Sequence, residues 1–453
     1  MNMSFLQELF SSITQRDALQ RRLGNRKHPH DAEGMVAACE ELLESDGEAT
    51  GIVLAGRALD IYKSLDKPEK RRFFETLATR FAADPDAIDR AYRTYRHDRS
   101  NQSLALLFEA SEPQRQELLR RLNLAHGATY ELVLMRQDFL ALMKDHKDFE
   151  PINADFVHLF GSWFNRGFLV LKRIDWNTPA AILEKIIRYE AVHKIQGWDD
   201  LRRRLDARDR RCFGFFHPAI GDEPLIFVEV ALTKGLPDRI QPILSNDHYD
   251  IADPSLADSA AFFGISNCQV GLRGISFGNF LIKQVVQELK QELPNLRNFV
   301  TLSPLPMFRD WLATTQRDEP ELLTPDAQEA LALLDKPDWA EDEEQAARVN
   351  EVIRPLAARY LLKAKNRDGL PLNPVARFHL GNGAELHRIN GLGDVSAQGM
   401  KQSAGLMVNY LYVLENIERN NEKYTTDGEI VCSQSVRELS RLGRKLFQGE
   451  PEK

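Results

Sequence analysis

The sequence predicts an α+β protein: an all-helical N-terminal bundle over residues 1–150, then an α/β domain over 151–453 that carries an acidic helical insertion near 317–365. Three observations carry this expectation. Apolar residues recur at helical spacing through the first third. After "DFEPINADFVHLFGSWFNRG" short β-rich runs take their place. Between Phe262 and Ser303, strand, glycine-bearing turn, helix and strand follow one another, which is the order of a βαβ crossover.

In the first third, Leu54, Ala58, Ile61 and Leu65, then Phe74, Leu77 and Phe81, mark buried stripes. Pro85 in "ADPDAID" and Pro113 in "SEPQRQELL" suit first turns of helices, where the missing N–H costs nothing, with "DPD" and "SEP" supplying capping side chains. Such a module shows no chemistry of its own, and packing or self-association is its natural reading. The strands come next: "FLVLKRI", "CFGFFHP", "PLIFVEVALT", "FFGISNCQV" and "NFVTLS". Between the last two, "GNFLIKQVVQELKQEL" places Ile282, Val286 and Leu289 on one helical face, so these two strands run parallel. The insertion holds "DEPELLTPDAQEALALL" and "DWAEDEEQ", with Thr324 and Pro325 as N-cap and first helical residue.

Composition narrows the function. With 453 residues, 43% of them hydrophobic, the chain buries a substantial core in two or three domains. No window holds the ~18 uncharged apolar residues of a membrane helix. The net charge of −8 and scattered basic residues give no electrostatic footprint for nucleic acid. Glu8 and Asp17 in the opening stretch, and "EPEK" at the end, point to a cytoplasmic protein. Cys39, Cys212, Cys268 and Cys432 lie too far apart for metal knuckles and read as reduced thiols. Among eleven histidines only His28 and His30, in "HPHD", are close together, and no zinc site is indicated.

Three stretches carry candidate chemistry. In "GLRGISFGNFLIKQVV", Gly274 to Gly278 match G-x-S-x-G, which would make Ser276 an esterase-type nucleophile. The same residues also read as a phosphate cradle, with glycines, the start of a helix and Arg273 favouring an anion, or as an ordinary turn. In "NFVTLSPLPMFRDWL", Ser303 stands at the C-terminal end of a strand, where α/β sheets present ligand-facing groups, and Pro304 and Pro306 stiffen the turn behind it. The plainer reading is that Ser303 ends the strand and caps the next helix. His379, after Phe378 in "LNPVARFHLGNGAELHRINGLGDVS", is either a hydrogen-bonded structural histidine or a catalyst.

"SWFNRGFLVLKRIDWNTPA", "YEAVHKIQGWDDLRRRL", "GLRGISFGNFLIKQVVQELKQELPNL", "TLSPLPMFRDWL", "NPVARFHLGNGA" and "GLMVNYLY" closely resemble the malonyl-CoA decarboxylase family, in the family's order across residues 160 to 413. The resemblance implies a GNAT-type acyl-CoA-binding catalytic domain behind a helical oligomerisation domain. Its pyrophosphate loop, R-G-x-G-x-G, falls on Arg273, Gly274, Ile275, Ser276, Phe277, Gly278 and Asn279, with Ser276 at the middle glycine. The strand from Ser266 to Gln269 then lies along the pantetheine arm, Ser303 and His379 fall on the family's catalytic serine and histidine, and Tyr412 matches a tyrosine near them. Animal members have a serine at the position of Gly264 and a glutamate at that of Ser276. The implied reaction turns malonyl-CoA into acetyl-CoA and CO2 without metal or organic cofactor, His379 giving the proton and Ser303 acting as its partner and proton acceptor. It implies a homotetramer with a role in malonyl-CoA turnover and fatty acid metabolism. A GNAT-type N-acyltransferase, an acyl-CoA serine hydrolase using Ser276, and a helical interaction protein with a degenerate acyl-CoA domain are the other readings. An amine acceptor, fluorophosphonate labelling, and binding without turnover respectively distinguish them.

Overall fold

The computed structural model describes residues 28–143, 147–245, 253–275, 281–318 and 323–446. They form two compact units. One runs to Leu169 and takes in His217–Asp222 and the segment that begins at Gln269; the other holds the sheet.

The first unit is helical: α1 (Ala32–Glu44), α2 (Glu48–Ser64), α3 (Lys67–Thr79), α4 (Pro85–Asp98), α5 (Asn101–Ser111), α6 (Gln114–Leu122), α7 (Ala128–Met143) and α8 (Glu150–Trp163). The expected stripe from Leu54 to Phe81 is buried. Phenylalanines dominate this core and meet edge to face, as in Phe74 and Phe139 at 5.1 Å, the arrangement that ring quadrupoles favour. Asp84 caps α4 ahead of Pro85, as expected. Pro113 differs: it is itself the N-cap of α6 and contributes no side-chain bond, because Ser111 is the last residue of α5 and Glu112 its C-cap. The α4–α5 hairpin packs mainly on itself; α4 buries no residue, and α5 leaves Leu106 and Phe108 exposed.

In the second unit the strands are β1 (Val170–Ile174), β2 (Arg210–Phe216), β3 (Pro224–Thr233), β4 (Ser259–Asn267), β5 (Asn298–Thr301), β6 (Ser303–Pro304), β7 (Glu385–Asn390) and β8 (Met407–Leu411). Their order is β1-β2-β3-β4-β5-β8-β6, with β7 on β8. Neighbours from β1 to β4 are antiparallel, whereas β4 and β5 are parallel, joined by α11 (Leu281–Glu292) as the crossover requires. Helices α9 (Ala180–Tyr189) and α10 (Trp198–Asp206) cover one face, packing Ile182, Ile186 and Leu201 on Cys212, Phe216 and Phe227. β2 and β3 are buried along their whole length, and the charged residues they carry, Arg210, Arg211 and Glu229, are buried with them.

The acidic segment forms α12 (Phe308–Asp318), α13 (Pro325–Ala332) and α14 (Glu343–Lys363), with the Thr324 cap accepting from the Ala327 N–H. Glu343 and Glu344 open α14, and the inner face of the rest of that helix buries Val349, Ile353, Leu356 and Tyr360. The chain then makes α15 (Pro374–Gly381), α16 (Ala397–Ser403), α17 (Ile417–Asp427) and α18 (Gln434–Lys445). The helical first part followed by a mixed sheet with helices is the predicted α+β class.

Candidate active site

The site is built where the parallel strand pair ends. β4 and β5 pair from Ser259/Asn298 to Phe262/Thr301, closing with the Leu302 N–H on the Phe262 carbonyl at 2.8 Å. The chain then leaves β4: Ser303 and Pro304 pair with Val408 and Met407 of β8 instead. Beyond this fork lies a cavity of about 230 Å³, walled by Phe263, Ile265 and Asn267 on one side and by Leu302, Ser303 and Pro304 on the other. Phe262 and Phe263 both line it because β4 shifts register against β3 there, a bulge that breaks the alternation of faces.

Helix α15 brings His379 to this wall. Asn373 caps that helix, accepting from the Ala376 N–H at 2.8 Å, and its Nδ2 donates to the Pro306 carbonyl at 2.9 Å. Tyr360 of α14 donates to the same carbonyl at 3.1 Å. One cap thus aligns the histidine helix and clasps the turn behind Ser303. His379 Nε2 lies 3.0 Å from Ser303 Oγ, and Nδ1 lies 2.8 Å from the Tyr412 hydroxyl. Ser303 Oγ reaches Thr301 Oγ1 at 2.9 Å, and the imidazole stacks on Tyr410 with centroids 4.5 Å apart. Ser303, His379 and Tyr412, all singled out from the sequence, therefore meet. Thr301 was missed, although its spacing of two from Ser303 on a strand puts both hydroxyls on one face.

Burial sets the charge state. It lowers the His379 pKa to about 3 and raises that of Tyr412 well above the usual phenol value, with Tyr410 adding to the latter. At neutral pH the chain Tyr412–His379–Ser303 is therefore uncharged. An imidazolium, the form a histidine takes below its ordinary pKa of ~6.5, is therefore not the resting form. No charged side chain lines the cavity among the described residues.

The other predicted residues behave differently. Arg273 is exposed, Gly274 has φ of +80°, where a side chain is strained, and Ile275 is buried. Ser276, Phe277, Gly278 and Asn279 lie outside the described residues, and so does any nucleophile reading of Ser276. The Ser266 hydroxyl is turned to the face opposite Ile265 and Asn267, where it donates to Glu190 Oε2 at 2.8 Å and is buried. Strand alternation leaves its neighbours' side chains to face the cavity. Gly264 abuts Glu229, so that a Cβ there would collide with the carboxyl group. Burial, with Glu190 nearby, pushes Glu229 up to about 8, although Arg204 stands 3.4 Å away. His28 and His30 do not converge: one pairs with Glu41, the other with Ser64. All four cysteines are buried free thiols.

Fold and site define an α+β protein with an uncharged cavity and a buried serine–histidine–tyrosine chain at the fork of a parallel strand pair, the arrangement of a candidate enzyme. Comparison with known proteins narrows this to a family. The malonyl-CoA decarboxylase N-terminal domain model matches residues 81–164 and the C-terminal domain model residues 167–448. The mitochondrial malonyl-CoA decarboxylase of Anser anser anser is 36% identical over 348 residues, 72% of this chain and 69% of that protein. Its Rattus norvegicus counterpart is 35% identical over 72% of this chain and 71% of its own length. The solved malonyl-CoA decarboxylase of Rhodopseudomonas palustris superposes with a TM-score of 0.87 at 53% identity, covering 90% of this chain and all of that one. That of Agrobacterium vitis gives 0.85 at 50% identity, over 89% and 99%. The chain belongs to the malonyl-CoA decarboxylase family.

Proposed function

We propose that the protein converts malonyl-CoA to acetyl-CoA and CO2 without a cofactor, the serine–histidine contact at 3.0 Å being the observation that carries the mechanism. The C2–C3 bond breaks, its electron pair passes into the thioester as an enolate, CO2 leaves, and C2 takes a proton. The thioester is itself the electron sink, so the protein supplies donors around the developing oxyanion and a route for one proton. Apolar walls strip water from the malonyl carboxylate, which favours neutral CO2.

A thioester enolate is a stronger base than an imidazolate, so His379 can serve as donor through a neutral N–H. In the tautomer protonated at Nε2, His379 donates to Ser303 Oγ and Tyr412 donates to Nδ1. Ser303 Oγ then turns its own proton from Thr301 Oγ1 toward the substrate and accepts that of Nε2, the Tyr412 hydroxyl passes its proton to Nδ1, and one proton taken up from solvent returns Tyr412 to its neutral form, so that each turnover consumes one proton. The Arg273 to Asn279 loop is read as holding the coenzyme A diphosphate, with Gly274 permitting the turn. We also propose that the chain self-associates through the α4–α5 hairpin, which exposes Leu106 and Phe108.

The test is headspace CO2 and acetyl-CoA from purified protein and malonyl-CoA, with EDTA present and no ATP, biotin or amine. Equimolar products are expected, whereas free coenzyme A with malonate overturns the reading in favour of hydrolysis. Ser303→Ala and His379→Asn should each lower turnover roughly 10²–10⁴-fold, the usual worth of a positioned proton donor, with coenzyme A binding retained.

A further inference from the structure

Arg136 is the largest fully buried side chain in the helical unit, and its guanidinium is spent on backbone. From α7, Nη1 donates to the Gly271 carbonyl at 2.6 Å and to the Arg273 carbonyl at 2.9 Å, and Nη2 donates to Asn153 Oδ1 at 3.0 Å. Nε is buried with no hydrogen-bond partner among the described residues. None of these partners is a carboxylate, and burial alone lowers the pKa, to about 10. A desolvated cation held this way is costly, and an apolar residue of similar length would fill the same space more cheaply. What the guanidinium adds is a rigid fork whose Nη1 arm holds both carbonyls while its Nη2 arm is fixed on Asn153.

The segment it grips is tightly built. Val270–Leu272 make one 3-10 turn, and the N–H groups of Arg273 and Ile275 each bond back three residues, at 3.0 Å. Gly271 lies so close to α7 that a Cβ would collide with the Val133 carbonyl, so only glycine lets the turn reach the guanidinium. Gly274 follows with its positive φ, and the Arg273 side chain projects into solvent. Two carbonyl oxygens that would repel an incoming anion are thereby turned inward and held, while the side chain able to pair with one faces out.

We infer that Arg136 is a positioning residue for the Arg273 guanidinium and, through it, for the diphosphate end of the acyl-CoA substrate. This rests on reading Arg273–Ile275 as the start of the diphosphate loop.

The experiment compares kcat and KM for malonyl-CoA and for malonyl-pantetheine, which has the same thioester but no diphosphate. It uses the full chain as wild type, Arg136→Met, Arg136→Lys and Arg273→Ala. Arg136→Met should lose about tenfold or more in kcat/KM for malonyl-CoA, through KM, and nothing for malonyl-pantetheine, since charge-assisted hydrogen bonds of this kind are worth that much. Arg136→Lys, which keeps a cation but not the fork, should fall between and answers the question if Arg136→Met does not fold. Equal losses on both substrates, or a loss in kcat alone, would make Arg136 merely structural and overturn the inference. A selective loss for Arg273→Ala but not for the Arg136 variants sinks the inference and spares the diphosphate reading. No selective loss for Arg273→Ala removes that reading and the inference with it.

Discussion

Two tyrosines beside His379 separate a working hydroxyl from an idle one. Tyr412 meets Nδ1 at 2.8 Å, whereas the Tyr410 hydroxyl is buried with no partner among the described residues. Tyr412→Phe keeps the ring and strands a buried nitrogen, so the imidazole loses the group that fixes its tautomer. Turnover should fall roughly tenfold or more, the equivalent of one unsatisfied buried polar atom. Tyr410→Phe deletes a hydroxyl with no hydrogen-bond partner among the described residues, and should leave turnover unchanged with the thermal midpoint equal or raised. Steady-state rates and melting curves on the pair check both statements, and the reverse order would take Tyr412 out of the relay. Ser303 stood out because an apolar strand-like run stops there, although in the fold β5 ends at Thr301 and Ser303 opens β6. His379 was not separable from a structural histidine until its two ring nitrogens were seen to have hydroxyl partners.

At the scale of elements, one cap controls the site. Asn373 starts α15 and also holds the Pro306 carbonyl, just before Met307, which sits at φ of +66°. Asn373→Ala should cost about 1–2 kcal/mol as a lost N-cap. Turnover should also drop, because the turn behind Ser303 and the helix carrying His379 relax together. Asn373→Asp retains the capping oxygen but not the donor to Pro306; it should recover stability without recovering rate, and denaturant titration beside kinetics reads the difference. The "NP" signature of this cap was present in the sequence. β7 and β8 were not legible: β8 is a five-residue run whose identity depends on pairing with β5, β6 and β7, all distant in sequence. The direction of the Ser266 side chain was not legible for a related reason. A resemblance places a strand along a ligand, but alternation decides which of its side chains faces that ligand, and the register shift at Phe263 is not visible locally.

For the whole molecule, buried titratable groups shape the pH dependence of folding. His193 and His379 have pKa values lowered by burial, to about 4 and about 3. The unfolded chain therefore takes up these protons first, and stability present above ~6.5 is lost as pH falls through the two folded values. Glu229, raised by burial to about 8, acts oppositely: the unfolded form ionises first, and stability declines as pH rises from ~4.3 through that value. Melting temperature against pH should pass through a single maximum, and Glu229→Gln should flatten its alkaline side. A midpoint independent of pH would contradict the assignment. Self-association has its own check: Leu106→Ser with Phe108→Ser should shift light-scattering mass toward the monomer while leaving the fold intact, since both side chains already face solvent.

The sequence by itself determined the kinds of element and most of their places, because helical and strand periodicities, proline positions and caps are written in neighbouring residues. It also determined the family, through motifs kept in order. Only the tertiary structure decided that Thr301, Ser303, His379 and Tyr412 form one chain of hydrogen bonds, across sequence separations of 76 and 33 residues. It alone decided that His379 is neutral, that Ser266 belongs to the opposite face, and that Arg136 grips the stem of a distant loop. Each depends on desolvation and contact with residues far away in the chain, and such quantities come into being only when the core closes.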